Sequence, residues 1–257
     1  LKIPFSFTEH ASNMFIDPLM FGTKLCLCKT AVTISEYNKK YLLSKYGEDL
    51  ADKIHIIHCG IDPMLYTPHH VAKSELPVVL AVGRLVEMKG FYFLLEACRL
   101  LKDKGVRFTC LIVGDGEEKQ TLLSRVTELG VKDVVTFQGA EIQERVMQFL
   151  QEASIFVLPS IITEEGRRDG IPVALMEAMA MELPVISTKI VGIPELIEDG
   201  KEGLLVEEKN PAQLADALEF LLRDTSTGKE MGKQGRLRII REFNIKNVPE
   251  QFHVVFN

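Results

Sequence analysis

From about Leu76 onward this chain repeats one unit, and that repeat limits its fold more than any other feature: a short β-rich run, apolar on both faces, followed by a longer amphipathic stretch. VVLAVG (Val78 to Gly83) precedes GFYFLLEACRLLKDKG, FTCLIVG (Phe108 to Gly114) precedes EEKQTLLSRVTELG, and VVTFQG (Val134 to Gly139) precedes IQERVMQFLQEA. IFVLPS (Ile155 to Ser160) leads through a polar loop to PVALMEAMAM, and PVIST, a short helix after Gly192, GLLV and PAQLADALEFLL follow. A strand that is apolar throughout needs cover on both faces, and helices inserted between strands provide it when the strands run parallel. The pattern therefore predicts an α/β domain, a doubly wound parallel sheet. Asn210-Pro211 marks one helix start, with asparagine as N-cap and proline in the first helical position.

The opening third uses the same grammar more briefly: PFSFTEH, AVTISE, EYNKKYLLSKYG, then KIHIIHCGID. These are too few strands to close a sheet, so residues 1–66 read as the closing part of a domain whose beginning is absent. DPMLYTPHHVAKSELP, rich in proline and polar residues, lacks periodicity, and residues 67–76 are expected to be a linker. Residues 77–242 form the second unit, and 243–257 a C-terminal amphipathic helix.

With 257 residues, 46% of them hydrophobic, the chain can build one large core or two modest ones. Its formal charge of −6 argues against a dedicated nucleic-acid binder. Five cysteines, several within apolar runs, suit reduced thiols in a cytoplasm. Cys26-Leu27-Cys28 has the wrong spacing for a zinc knuckle. No apolar run reaches the roughly 18 residues that span a bilayer, and LKIPFSFTEH lacks the order of a signal peptide.

Ligands of open parallel sheets bind beyond the carboxyl ends of the strands, at helix N-termini. Arg84 and Lys89 share one strand-to-helix turn, and Lys89 stands where the helix dipole disfavours a cation unless an anion lies between them. The pair would suit a diphosphate; the alternative is two ordinary surface cations. Gly114-Asp115-Gly116 lacks the third glycine and the distant acid of a dinucleotide fingerprint, so a plain tight turn is expected there. No phosphate-binding loop ending in Gly-Lys-Ser/Thr is present, which argues against kinase or ATPase chemistry.

DGIPVALMEAMA, Asp169 to Ala180, places one carboxylate, Glu177, in an apolar helix. Burying it unpaired costs several kcal/mol, so a partner is expected. Gly170 permits close backbone approach, and Pro172 is read as lying in the first turn. Helical side chains lean toward the N-terminus, so Glu177 aims at whatever binds there. Neutral hydroxyls such as those of a ribose fit better than phosphate; a structural arginine is the alternative.

Several ordered stretches together resemble a known family. GRLVEMKGFYFLLEA, VGDGEE, VTFQGA, FVLPSIITEEGRRDGIPVALMEAMAMELPVIST and GIPELIEDGKEGLLV are similar to the nucleotide-sugar half of the family-four (group one) retaining glycosyltransferases of the GT-B fold. TEHASNMF and AVTISEYNKKYLLSKYGEDLADKIHIIHCGID resemble the closing part of that family's acceptor domain, so the likeness runs from about Phe7 to Phe243. It implies that Arg84 and Lys89, with Gly83 and Gly114 beside them, hold the donor diphosphate. Asp169 would contact the transferred sugar, Glu177 the ribose, and the backbone of Gly170, Ile171, Pro172 and Val173 the sugar and phosphate. Gln138, Gly139 and Ala140 would flank the base, and His10 would face the sugar from the acceptor domain. The C-terminal helix of relatives crosses back to the first domain.

The implied reaction moves a hexose from a nucleoside diphosphate sugar, with UDP or GDP as the expected nucleotide, to a glycan or lipid-linked acceptor with retention of configuration. No Asp-x-Asp pair is present, so no metal and no separate cofactor are expected. Departures from the resemblance are Asp169 where glutamate is usual, Asn13 where aspartate is frequent, Glu182 where glycine is common, and the absent start of the acceptor domain, which leaves acceptor binding open. The resulting expectation is a cytoplasmic enzyme of exopolysaccharide, capsule or similar glycan synthesis, in peripheral contact with the inner face of a membrane through the absent segment. Alternatives are a fragment that binds the donor nucleotide without turnover and a nucleotide-sugar epimerase of the same fold. The incomplete first unit is also expected to expose apolar surface.

Overall fold

A computed structural model of the protein describes residues 4–10, 14–15, 20–68 and 74–256. Asn13 and residues 69–73 of the expected linker lie outside them.

The first sheet is parallel, in the order β1-β2-β3, from β1 (Ser6–Glu9), β2 (Thr30–Thr33) and β3 (Ile54–Ile56). Helices α1 (Phe21–Leu27) and α2 (Glu36–Tyr46) alternate with its strands, and Phe21, Leu25, Ala31, Leu42, Leu50 and Ile54 form its core. Ser35 starts α2 by accepting the Asn38 N–H on its hydroxyl at 3.1 Å. β1 is an edge strand whose residues alternate between exposed and half-buried, and Phe5 beside it is exposed.

The second sheet contains β4 (Val78–Val82), β5 (Thr109–Val113), β6 (Val135–Gly139), β7 (Ile155–Leu158), β8 (Val185–Thr188) and β9 (Gly203–Val206), all parallel. Between and after them come α3 (Phe91–Asp103), α4 (Lys119–Glu128), α5 (Gln143–Glu152), α6 (Val173–Ala180), α7 (Ile193–Leu196), α8 (Pro211–Arg223), α9 (Thr225–Glu242) and α10 (Val248–Phe256). The doubly wound sheet expected from the apolar runs is thus present. β7 and β8 are buried along their whole length, α3 packs on α8, and α6 packs on α9. Asn210 caps α8 as its sequence indicates, accepting the Gln213 N–H at 3.0 Å with Pro211 next in the helix.

The strand order β6-β5-β4-β7-β8-β9 reverses direction between β4 and β7, the switch point of a Rossmann-type sheet. Connections leave these two neighbours on opposite sides, which opens a crevice at their carboxyl ends.

Side chains and backbone join the two units. The Ile61 N–H donates to Phe243 O at 3.0 Å and the Ile245 N–H to Ile61 O at 2.9 Å, so the chain returns to the first unit just after α9. Lys246 pairs with Asp62 at 3.1 Å, and the His58 ring lies 5.1 Å from that of Phe243. Glu195, on α7, accepts the backbone N–H groups of Glu36 and Tyr37 at 2.8 and 2.9 Å, capping α2 from the other unit. Arg168 donates to the Tyr37 hydroxyl at 2.9 Å and stacks on Phe15. α10 carries no fully buried residue, and Val254 and Phe256 on it are exposed.

Two local details differ from the sequence reading or add to it. Pro172 is not in the first turn of α6: its ψ of 124° is extended, so it serves as N-cap and the helix begins at Val173. Its carbonyl accepts the Leu175 N–H, which starts the helix without a donor from proline. Glu182, at a position where glycine is common in the resembled family, has a φ of 58°, the left-handed conformation that ends helices.

Glu195→Ala leaves two helix N-terminal donors of α2 without their acceptor. It should cost about 1–2 kcal/mol in chemical denaturation, with faster amide exchange at Glu36 and Tyr37.

Candidate functional site

The loops after β4 and β7 are locked together at the switch point. The Ile161 N–H donates to Met88 O at 2.9 Å. Gly90 has a φ of 68°, and a Cβ there would fall 1.9 Å from Pro159 O, so only glycine fits. A short 3-10 turn, Glu87–Lys89, precedes Gly90, which begins α3, and this places Lys89 beside the opposite loop. Its ammonium donates to Asp169 Oδ1 at 3.0 Å and Oδ2 at 2.8 Å, while the Ser160 hydroxyl donates to Oδ2 at 3.2 Å. The two side chains are 14% and 16% exposed, so water screens this pair far less than it screens a surface pair.

Arg84 is exposed, and among the described residues it makes no ion pair. It lines a cavity of about 600 Å³ together with Glu87, Gly116, Glu117, Thr163 and Arg167. Gly83 and Gly114 abut behind it: Gly114 has a φ of 145°, and a Cβ there would lie 1.9 Å from Gly83 O.

Glu177 lies half-buried on α6. Its Oε1 accepts the Tyr66 hydroxyl at 2.7 Å and Gln143 Nε2 at 3.0 Å, and Gln143 Nε2 also donates to the Tyr66 oxygen at 2.9 Å. Neutral donors therefore meet this carboxylate, not an arginine. Burial and the adjacent Glu177 push the Tyr66 hydroxyl well above its ordinary pKa, keeping it a donor. Arg236 donates to Tyr66 O at 2.6 Å and to Ala180 O, fastening this segment to the end of α6.

At the end of β6, Gln138 and Ala140 are exposed, and Gly139 has a φ of 88° with open space where a side chain would stand. The Gln138 amide reaches Glu141 at 3.2 Å. Gly170, Ile171 and Pro172 are buried, whereas Val173 is exposed at the mouth of α6. His10 lies at the carboxyl end of β1, exposed, with its Nδ1 3.4 Å from Cys59 Sγ. Burial raises the Cys59 thiol pKa. Among the described residues His10 makes no hydrogen bond to Lys89, Asp169 or Glu177.

The site thus unites Lys89 with Asp169, sets Glu177 on the adjacent helix, and leaves Arg84 open. Sequence reading did not find Tyr66, Gln143, Ser160 or Arg236. Ser160 could have been singled out, since it stands in the loop just after β7, at the crevice; Tyr66 lies in an aperiodic segment and carries no such signal. Among the described residues no three His, Cys, Asp or Glu side chains are placed to hold a metal ion, and no helix is long and apolar enough to cross a membrane.

Residues 66–238 match the family model described as glycosyl transferases group 1. The chain belongs to that family. Within it, a relative from Salmonella typhimurium named as a colanic acid biosynthesis glycosyltransferase is 38% identical over 202 residues, 78% of this chain and 50% of the relative. An amylovoran biosynthesis glycosyltransferase of Erwinia amylovora is 37% identical over 195 residues, 76% of this chain and 48% of its own length. The chain spans about half the length of these curated relatives. Among solved structures, sucrose-phosphate synthase from Thermosynechococcus elongatus superposes with a TM-score of 0.82 at 23% identity, covering 98% of this chain and 66% of that one. Anabaena HepE, solved in complex with UDP and glucose, gives 0.79 at 20% identity, covering 98% and 70%. The fold of this group 1 chain is GT-B.

Asp169→Ala leaves the Lys89 ammonium without its carboxylate in a mostly shielded position. We expect a loss of about 1–3 kcal/mol in urea denaturation, with the transition midpoint falling and its slope unchanged.

Proposed function

We propose that the chain carries the donor half of a retaining glycosyltransferase that moves a hexose from a nucleoside diphosphate sugar to a glycan or lipid-linked acceptor in cell-surface polysaccharide synthesis, working at the cytoplasmic face of a membrane. The observation that carries this reading is the division of labour at the switch point: two cations in the loop after β4, and a carboxylate on α6 satisfied by neutral donors. The colanic acid and amylovoran relatives support the polysaccharide assignment.

An ammonium has three N–H donors, and Asp169 takes two of those of Lys89. The third reaches a phosphate oxygen, and Arg84 supplies a second cation. Asp169, held from behind by Ser160 and Lys89, offers its remaining lone pairs to sugar hydroxyls. Glu177 Oε2 accepts from the ribose, and backbone groups at Gln138, Gly139 and Ala140 meet the base. His10 approaches the sugar from the first sheet.

In the transfer step the acceptor oxygen forms a bond to the anomeric carbon as the bond from that carbon to the diphosphate oxygen breaks. The acceptor's proton passes to the departing phosphate, and both arrive and leave on one face, so configuration is kept. Charge gathers on the leaving diphosphate, and Arg84 and Lys89 are positioned to stabilise it. This scheme needs no divalent metal and no separate cofactor.

The second reading is a chain that binds donor without turnover; it is favoured by the contacts among Lys89, Asp169 and Ser160 and among Glu177, Tyr66 and Gln143, none of which includes His10 among the described residues. An epimerase of the same fold would instead convert donor with no acceptor present.

A thermal-shift titration with UDP, GDP, ADP, TDP and their hexose conjugates tests the donor site. One nucleotide should give a saturable shift that EDTA leaves unchanged, and Arg84→Ala or Glu177→Ala should weaken it by about tenfold or more, the scale of one charge-assisted hydrogen bond. No shift with any nucleotide would remove the donor assignment. In a transfer assay, retention appears as the donor's anomeric configuration in the product by proton NMR, and inversion would overturn the mechanism.

A further inference from the structure

We propose that Tyr66 and Gln143 are positioning residues that commit one oxygen of Glu177, turn the other toward the ligand, and so set a preference for ribose over deoxyribose. This rests on the reading of Glu177 as the ribose acceptor.

The three groups form a closed triangle. Tyr66 has one hydroxyl proton, and it goes to Glu177 Oε1 at 2.7 Å. Gln143 Nε2 lies within hydrogen-bond distance of both the Tyr66 oxygen, at 2.9 Å, and the same Oε1, at 3.0 Å. Both donors converge on one oxygen of the carboxylate. Among the described residues, Oε2 receives no hydrogen bond.

The terminal torsion of a glutamate is broad, so an unrestrained carboxylate presents either oxygen over a wide arc. Two donors on Oε1 remove that freedom before any ligand arrives, the preorganisation that improves affinity by lowering ordering cost.

The donors are themselves fixed. Tyr66 is 7% exposed, and its carbonyl shares the Arg236 guanidinium with Ala180 O at the end of α6, so the hydroxyl and the helix bearing Glu177 are tied to one group. Gln143 is the first residue of α5, separated from the Gln138–Ala140 stretch at the end of β6 by Glu141 and Ile142. It links the segment expected to meet the base with the carboxylate expected to meet the sugar of the nucleoside. A phenylalanine would fill the Tyr66 space equally well, so packing alone does not call for the hydroxyl.

Isothermal titration of the chain with UDP and GDP, each beside its 2′,3′-dideoxy form, separates the outcomes. The unaltered protein should prefer the ribonucleotide. Tyr66→Phe should lower ribonucleotide affinity about tenfold, the scale of one hydrogen bond to a charged group, and leave dideoxy affinity unchanged. Gln143→Ala, at an exposed position that does not disturb packing, should shift the ratio in the same direction. Equal losses for both nucleotide forms would mean that Tyr66 acts only through packing and would overturn the proposal. A preference that survives both substitutions overturns it while leaving the ribose reading intact. An unaltered protein with no preference overturns the ribose reading and this inference together.

Discussion

The candidate site depends on one backbone contact, the approach of Gly90 to Pro159 at the switch point of the second sheet. β4 and β7 are neighbours whose connections depart to opposite sides, so their loops face each other across the crevice between them. With the Met88–Ile161 hydrogen bond, the contact holds these loops at a fixed spacing. Lys89 and Asp169 lie 80 residues apart in sequence, and they form a bidentate pair because the loops that carry them touch. A side chain at position 90 would part the loops, and the cation would lose its carboxylate.

Three acids around the cleft are satisfied in three ways. Asp169 faces a cation and a hydroxyl, Glu177 a phenol and an amide, and Glu195 two backbone N–H groups at a helix start. A cation cancels charge, whereas neutral donors stabilise a carboxylate and leave its charge to act on what comes next. The same residue type therefore does different work here: Asp169 sets the lysine, Glu177 offers an acceptor, and Glu195 ties one unit to the other.

The sheet was legible because strands buried on both faces must be apolar throughout, and VVLAVG, FTCLIVG and IFVLPS are. Asn210-Pro211 was legible because capping is a local interaction. The need for a partner at Glu177 followed from burial, but the partner's identity did not. Tyr66 lies 111 residues away in an aperiodic segment assigned to the first unit, and Gln143 reads as the polar face of an amphipathic helix. A cation just ahead of α3 implied an anion; Asp169 meets that demand within the protein itself. The Pro172 boundary moved by one residue because proline's fixed φ suits either side of a helix start, and ψ, which sequence leaves open, decides.

Ile61 is flanked by Phe243 and Ile245, so the chain's outward passage toward the second sheet and its return lie side by side. Two crossings at one place fasten the units together through backbone groups. Glu195 on the start of α2 and Arg168 on Tyr37 fasten them a second time through side chains. The first fastening uses no side chain and the second does, so side-chain substitution weakens the union of the units at Glu195, Arg168 and Tyr37 and their neighbours.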